Sequence, residues 1–348
     1  MLVRLLLDGD ASGPVTGSEW DAFLRISVQN GVVIRAVERL RTLGAAVPAV
    51  ASATAHAYRV RARAMLDAMA RVGEFCDAHR IDWCLPRALQ HLPDMGRDID
   101  FLVDADGGRF DRLLRCELGA LPVPHGLRSS IAGSSEYRLP GCPAVLDIRF
   151  RRLGVVGEDT RFAADLLRRC RTMDVGRRRF NVPRDEDRLV LQAMQRVYGR
   201  TGIRVADAVS SIALVRRGDL DWSAVLRRSA TLGIAPGLSC YLSYLDRIHT
   251  ELYGVPLPCP PIARNLIGAG WGRVRFDGDR YRFPVFAVNC RLYLARFASD
   301  AVRGRWASAG RLCLLPAVAV AAAGERAGRR LRRAAAAADD AAAEGSRA

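Results

Sequence analysis

The sequence of 348 residues predicts an α+β protein, with a small mixed β-sheet flanked by N-terminal helices and by a C-terminal helical domain. Three observations carry that prediction. Apolar residues recur at helical spacing from about residue 18 to 79 and again from about 184 to 254, while between these stretches the period shortens to that of strands. Gly and Pro punctuate both regimes, cutting the ends into helix-length units and the middle into strand-length ones. The composition, 50% hydrophobic and 26% charged at mean hydropathy +0.02, allows a sizeable core and is too polar for a polytopic membrane protein.

The first helix begins in "SEWDAF", where Ser18 can cap and Asp21 stands at capping-box spacing, and it buries Trp20, Phe23 and Leu24. A second, after Asn30-Gly31, presents Val33, Val37 and Leu40 and stops at Gly44. A third spans about Ser52 to His79 and lines up Tyr58, Met65, Met69, Val72 and Cys76 as a core stripe. Strand-like "IDWCLP" (81–86), the turn "ALQHLPDMG", the strand "DIDFLV" (98–103), the helix "GGRFDRLLRCEL" and the strands "SSEYRLP" and "AVLDIRF" (144–150) follow. Four helical units then run from Arg184, in "PRDEDRLVLQAMQRVYG", "RVADAVSSIALVRRG", "DWSAVLRRSATLG" and "PGLSCYLSYLDRIHTELYG". In the third of these, Asp221-Trp222 repeats the acidic start and anchoring Trp of the first helix. The expected organisation is an N-terminal helical region (1–80), an α+β core (81–183), a helical domain (184–256), a C-terminal extension of unspecified pattern (257–325) and an Ala/Arg-rich low-complexity tail (326–348).

The net charge is +16, the pI is about 10.3, and every basic residue is Arg. Such a balance favours an anionic partner: a nucleotide, a nucleic acid, a sugar phosphate or an acidic membrane surface, the last met peripherally by the Arg-rich C-terminus. Nine cysteines show neither a C-x-x-C pair nor zinc spacing and read as isolated core thiols. The apolar start "MLVRLLLDGD" is cut by Asp8 and Asp10 and lacks a small-residue cleavage site, so a cytoplasmic location is expected. "LCLLPAVAVAAA" (312–323) is too short to span a bilayer and contains Pro316, which leaves a buried helix or an interfacial segment. No transmembrane segment is therefore expected.

Asp98 and Asp100 stand two apart in the strand "DIDFLV", on one face, where like charges repel. A convergent pair is costly unless a cation neutralises it. Asp147, in the apolar strand "AVLDIRF", offers a third carboxylate, and an oxygen-only set of three suits magnesium and phosphoryl or nucleotidyl transfer. D-x-D alone is a weak motif, because strand edges and helix caps use Asp freely.

The order of helix, strand, short turn, "GRDIDFLV", helix and "VLDIRF" resembles the nucleotidyltransferase fold of the DNA polymerase β superfamily. Residues from about 18 to 255, including "EWDAFLRISVQNGVVIRAVERL", "CDAHRIDWCL" and "VPRDEDRLVLQAMQRVYGRTGIRVADAVSS", are similar to a bacterial family of uncharacterised nucleotidyltransferases within it. The resemblance implies an NTP substrate, two magnesium ions held by Asp98, Asp100 and Asp147, and in-line transfer of an NMP, AMP first, to a hydroxyl acceptor activated by Asp147. It also places Arg87, Ala88, Gly96, Arg97 and Arg204 around the nucleotide. One departure stands out: where the superfamily carries a Gly-Ser, Gly-Gly or Lys-Gly pair, this chain has Pro86-Arg87-Ala88. Arg87 can grip phosphate with its guanidinium, whereas Pro removes a donor and Ala adds a Cβ, as in a site that no longer binds nucleotide.

Around this centre, Arg204 and Asp207 border the base pocket or form an interhelical ion pair, His91 and His125 read as surface residues, and "RRCRTMDVGRRRF" (168–180) reads as a solvated face. Three functions remain distinguishable. A transferase with a small-molecule, protein or RNA acceptor needs the three Asp to converge. A degenerate nucleotidyltransferase fold, serving as nucleotide sensor or partner scaffold, would tolerate their loss. A basic nucleic-acid or membrane-surface binder would show strongly salt-dependent binding without them.

Overall fold

The computed structural model describes residues 2–9, 19–124, 127–199, 202–268, 270–318, 320 and 324; Ser18, His125 and the tail from 326 lie outside the described residues. Four helices lead: α1 (Leu2–Asp8), α2 (Glu19–Asn30), α3 (Val33–Thr42) and α4 (Ala49–Ala78). Glu19 and Asp21 in the first turn of α2 complement its dipole, and Trp20, Phe23 and Leu24 are buried as the spacing predicts. Helix α4 begins three residues before the expected Ser52 and buries Met65, Met69, Val72 and Cys76, whereas Tyr58 is only half-buried.

The sheet follows. Strands β1 (Trp83–Cys84), β2 (Asp98–Val103), β3 (Leu121–Val123), β4 (Ser134–Arg138) and β5 (Val145–Phe150) lie in the order β1-β2-β5-β4-β3, with β2 and β5 parallel and the other pairs antiparallel. Only two residues of the expected first strand pair, because the chain turns away at Leu85 to bond elsewhere: its N–H donates to the Asn181 carbonyl at 2.8 Å. The helix α5 (Gly107–Leu118) is capped by Asp106, whose side chain accepts from the Arg109 N–H at 2.9 Å, and ends at Gly119 with φ +61, a left-handed conformation that favours glycine. A short α6 (Leu127–Ala132) precedes β4, and α7 (Thr160–Arg169) follows β5.

Alternation along β2 decides where the site lies. Ile99, Phe101 and Val103 are fully buried with Leu146, Ile148 and Tyr137 against α4 and α5. The opposite face carries Asp98, Asp100 and Leu102, and Leu102 joins a second core with Phe162 and Leu166 of α7. The acidic end of that face is left open. Packing of α4 on the sheet is close: a Cβ on Gly73 would come within 2.6 Å of the Trp83 ring. Gly73→Ala is therefore expected to lower stability by about 1–3 kcal/mol, read as a lower urea midpoint at unchanged m, because the added methyl overpacks a rigid indole.

The basic stretch 168–180 is not a featureless solvated face. It ends α7 and forms a hairpin of β6 (Arg171–Val175) and β7 (Arg178–Val182) around Gly176 at φ +62. Arg171, Asp174 and Arg179 point to solvent while Phe180 and Val182 enter the sheet core. Alternation with one charged face hid the strand.

The trailing helices are α8 (Asp185–Ala193), continued by a π-helical turn at Met194–Tyr198, then α9 (Val205–Arg216), α10 (Trp222–Thr231) and α11 (Ala235–Tyr253). Asp221 caps α10 by accepting from the Ala224 N–H at 2.9 Å, and Trp222 is buried, as the sequence predicts. The N-terminal helices pack into the same core, where Trp20, Val37, Leu189, Ile212 and Tyr241 meet. The extension holds α12 (Pro261–Arg264), a hairpin of β8 (Arg275–Asp277) and β9 (Arg280–Arg282), α13 (Val285–Val302) and α14 (Trp306–Leu312). It is tied down by the buried Arg296 of α13, whose Nη1 lies 3.1 Å from Glu158 Oε1 and whose Nη2 donates to Asp159. Burial and the neighbouring Glu158 push the Asp159 carboxyl up to about 7 against the pull of Arg296.

All nine cysteines are free; Cys76, Cys84 and Cys240 are buried, but Cys116, Cys290 and Cys313 are exposed rather than core thiols. No helix among the described residues is long and apolar enough to cross a membrane.

Candidate active site

Strand register builds the site. Asp100 of β2 pairs with Asp147 of parallel β5, and Asp147 pairs with Glu136 of β4. Three carboxylates therefore stand side by side across three strands, with Asp98 one pleat earlier on the same face. Asp98 is exposed, Asp100 buried and Asp147 half-buried, with its Oδ1 buried and without a hydrogen-bond partner. Burial lifts the Asp147 carboxyl above its ordinary range; Arg149, whose Nη2 is 3.4 Å from Oδ2, opposes the rise, and Asp100 and Glu136 add to it. Glu136 was invisible in "SSEYRLP", where its polarity matched the solvent face of a strand; only the β4–β5 pairing brings it in.

Arg87 answers these charges. Its guanidinium donates to Asp100 Oδ1, and although burial works against its charge, Asp100, Asp98 and Asp147 together raise its pKa above the ordinary value. The residue sits in the segment that departs from Gly-Ser, and that segment is stapled from several sides. The Gln90 carbonyl accepts from Ser210 Oγ at 3.3 Å. Asp94, almost fully buried, accepts from the N–H groups of Ile34 and Arg35 and from Arg35 Nε at 2.7, 3.3 and 2.9 Å, tying the segment to the first turn of α3. A rigid turn can aim a guanidinium where a glycine turn would aim backbone N–H groups.

His91 is half-buried rather than on the surface, with Nδ1 2.8 Å from Ser210 Oγ and Nε2 3.1 Å from Asp207 Oδ1. Burial holds its pKa below the ordinary histidine value despite Asp207. Asp207 is fully buried and also takes Arg196 Nη2 at 2.8 Å and Arg204 Nε at 3.2 Å. Burial would raise its pKa, but Arg196, Arg204 and His91 hold it well below the usual carboxylate range. The Arg204–Asp207 pair lies within the first turn of α9 rather than between helices; the interhelical partner is Arg196 of the π-helical turn.

Two cavities flank the acidic row. The larger, about 980 Å³, takes in Arg87, Ala88, Gly96, Arg97, Asp98, Asp100 and Arg204, together with Tyr58, Arg61 and Arg196. The smaller, about 270 Å³, is bordered by Asp147, Glu136, Arg149 and Glu158. Arg87, Asp98 and Gln195 border both. Every residue expected at the site thus faces one cavity or the other. Gln195 belongs to the π-helical turn, an irregularity that recurs at functional sites and that helical periodicity alone does not disclose. The carboxylates are the candidate donors for a hard cation, although among the described residues no three His, Cys, Asp or Glu side chains are gathered closely enough to hold a metal.

An α+β core with an acidic sheet face set into an arginine-lined cleft defines a protein suited to a phosphorylated substrate. The family model described as uncharacterised nucleotidyltransferase matches residues 16–249, and the chain belongs to that family. Among solved structures, an antigenic nucleotidyltransferase-like protein from Paracoccidioides brasiliensis is similar at 14% identity and a TM-score of 0.34, over 51% of this chain and 92% of that one. A comparison with curated proteins finds no match.

Proposed function

We propose that the protein is a magnesium-dependent nucleotidyltransferase that moves an NMP, AMP by the family resemblance, from an NTP to a hydroxyl acceptor. The observation that carries the reading is the placement of Asp100 and Asp147 side by side between an arginine-lined cleft and a smaller cavity of mixed charge. The donor type suits a hard divalent cation, since the candidate ligands are carboxylate oxygens and Asp147 Oδ1 is buried with no partner, and the three side chains would have to draw closer together to hold one. Asp98, Asp100 and Asp147 would hold the magnesium ions. When bound, the metal polarises the α-phosphate and offsets charge on the leaving pyrophosphate.

The chain's own residues do the rest. Arg87, Arg97 and Arg204 draw the triphosphate into the larger cleft, with Ala88 and Gly96 leaving room along its wall. The acceptor hydroxyl enters from the smaller cavity, whose 270 Å³ suits a small molecule or a single protruding group. Asp147 takes the hydroxyl proton as the new acceptor O–P bond forms at the α-phosphate and the bond to pyrophosphate breaks.

A second reading rests on one specific observation, the Arg87–Asp100 ion pair: a cation built into the acids favours a nucleotide sensor or partner scaffold that holds NTP without reacting. The test is to incubate the protein with a cell extract and each α-labelled NTP, with magnesium or with EDTA, beside Asp98→Asn/Asp100→Asn. Label that transfers only with magnesium and wild type supports the transferase. NTP binding with no transfer under any condition sinks it and supports the sensor.

A further inference from the structure

Helix α13 is built with its polarity reversed. Its buried side carries Val288 and Leu292 but also Arg296 and Asp300, while Phe286, Cys290 and Leu294, with Phe297, are exposed. At 100° per residue these four fall within an arc of about 80°, one continuous apolar stripe. Phe286 is 84% exposed and Leu294 69%, and beyond the helix Val302 and Trp306 are 88% and 70% exposed. Half of the large exposed hydrophobic side chains among the described residues lie between Phe286 and Val320, a segment of about a tenth of the chain. Apolar surface concentrated in this way marks a contact surface.

What meets it is indicated by charge. Arg291 and Arg303 are exposed along the same helix and at its end, and over 325–333 the sequence continues with Arg326, Arg329, Arg330, Arg332 and Arg333 against the single acid Glu325, ahead of Asp339, Asp340 and Glu344. This following segment offers one large apolar residue, Leu331, too little to cover two Phe and a Leu. A second copy would bring together two chains of net charge +16. An anionic bilayer complements both features, since an apolar helix face inserts at the acyl boundary while a nearby polybasic segment binds the headgroups; neither signal alone gives stable attachment.

We propose that α13, with the arginines that follow it, docks the protein on an anionic lipid surface, the face Phe286–Leu294–Phe297 lying in the interface. The inference is independent of the transfer reaction.

The test is co-sedimentation of the full chain with vesicles of phosphatidylcholine alone or mixed equally with phosphatidylglycerol, at low and high salt. Pelleting is expected only with the anionic vesicles and is expected to weaken with salt. Phe286→Ser/Leu294→Ser should lower vesicle affinity at least about tenfold, since each side chain removes buried apolar area. Because both residues are exposed, the unfolding midpoint of this variant should not fall, which separates lost docking from lost folding. Arg329→Ala/Arg330→Ala/Arg332→Ala/Arg333→Ala should weaken binding and flatten its salt dependence. Failure to pellet with anionic vesicles overturns the proposal, as does equal pelleting of the Phe286/Leu294 variant. A concentration-dependent dimer abolished by Phe286→Ser/Leu294→Ser overturns it in favour of a second copy.

Discussion

Asp147→Asn is expected to lower nucleotidyl transfer by about 10³-fold, equivalent to about 4 kcal/mol of transition-state stabilisation, while leaving the fold at least as stable. The two effects separate because of the residue's surroundings. Its carboxyl is half-buried, faces Asp100 and Glu136, and has one oxygen with no hydrogen-bond partner, so its charge is a burden on folding. A folded-state pKa raised above the unfolded value means that the folded state binds the proton more tightly, so this group favours folding at low pH and loses that contribution as pH climbs from the unfolded carboxylate pKa through the folded one. The asparagine variant removes that loss. Transfer needs Asp147 ionised and should fall on the acid side as that carboxylate takes up a proton. Initial rates across pH with α-labelled NTP, set beside urea unfolding of both proteins, check it. A variant that loses activity and stability together would assign Asp147 a structural role.

Asp207→Ala is expected to destabilise the protein by about 3–5 kcal/mol, because it strands the buried Arg196 without its carboxylate and removes the acceptor at the first turn of α9. Asp207→Asn should cost less, since the amide oxygen still accepts from the Arg204 N–H, at 3.1 Å in the parent. The pH dependence has the opposite sign from that of Asp147. A folded pKa held well below the unfolded value gives stability that is fully present above the unfolded carboxylate pKa and is lost as pH falls below it. In the Ala variant that acid-side loss should shrink. The measurement is the urea midpoint of each protein from neutral pH down to about 3, a range set by the carboxylate values. Tyr58, Arg87 and His91 share a cleft with Arg204, so weaker NTP binding should accompany the loss.

Much of the fold was legible because its signals are local. The strand over 98–103 and the helix over "GGRFDRLLRCEL" coincide with β2 and α5, the first set by alternation and β-forming side chains, the second by the Asp106 cap and Gly119. The hairpin at 171–182 was missed because its outward residues are nearly all Arg or Asp, so a charged run concealed the alternating Phe180 and Val182. Tyr58 packs against the core as its helical spacing predicts but is only partly covered, because helical phase places a residue on a face without saying how far its neighbours extend over it.

The candidate site divides in the same way. That Asp98 and Asp100 share a face follows from the period of a strand, which is a property of the backbone, and the sequence alone determined it together with the helical ends, the excess of Arg and the family resemblance. Tertiary structure alone decided that β5 lies parallel to β2 with Asp147 opposite Asp100, that β4 adds Glu136, that Arg87 pairs with Asp100 and that His91 reaches Asp207 across 116 positions of chain. It also decided that α13 turns Arg296 inward and Phe286 outward. The physical reason is one of range. Backbone period and side-chain propensity act over a few residues and leave their mark in the sequence, whereas strand register, ion pairing and the choice of buried face are settled by packing between segments that sequence order keeps apart.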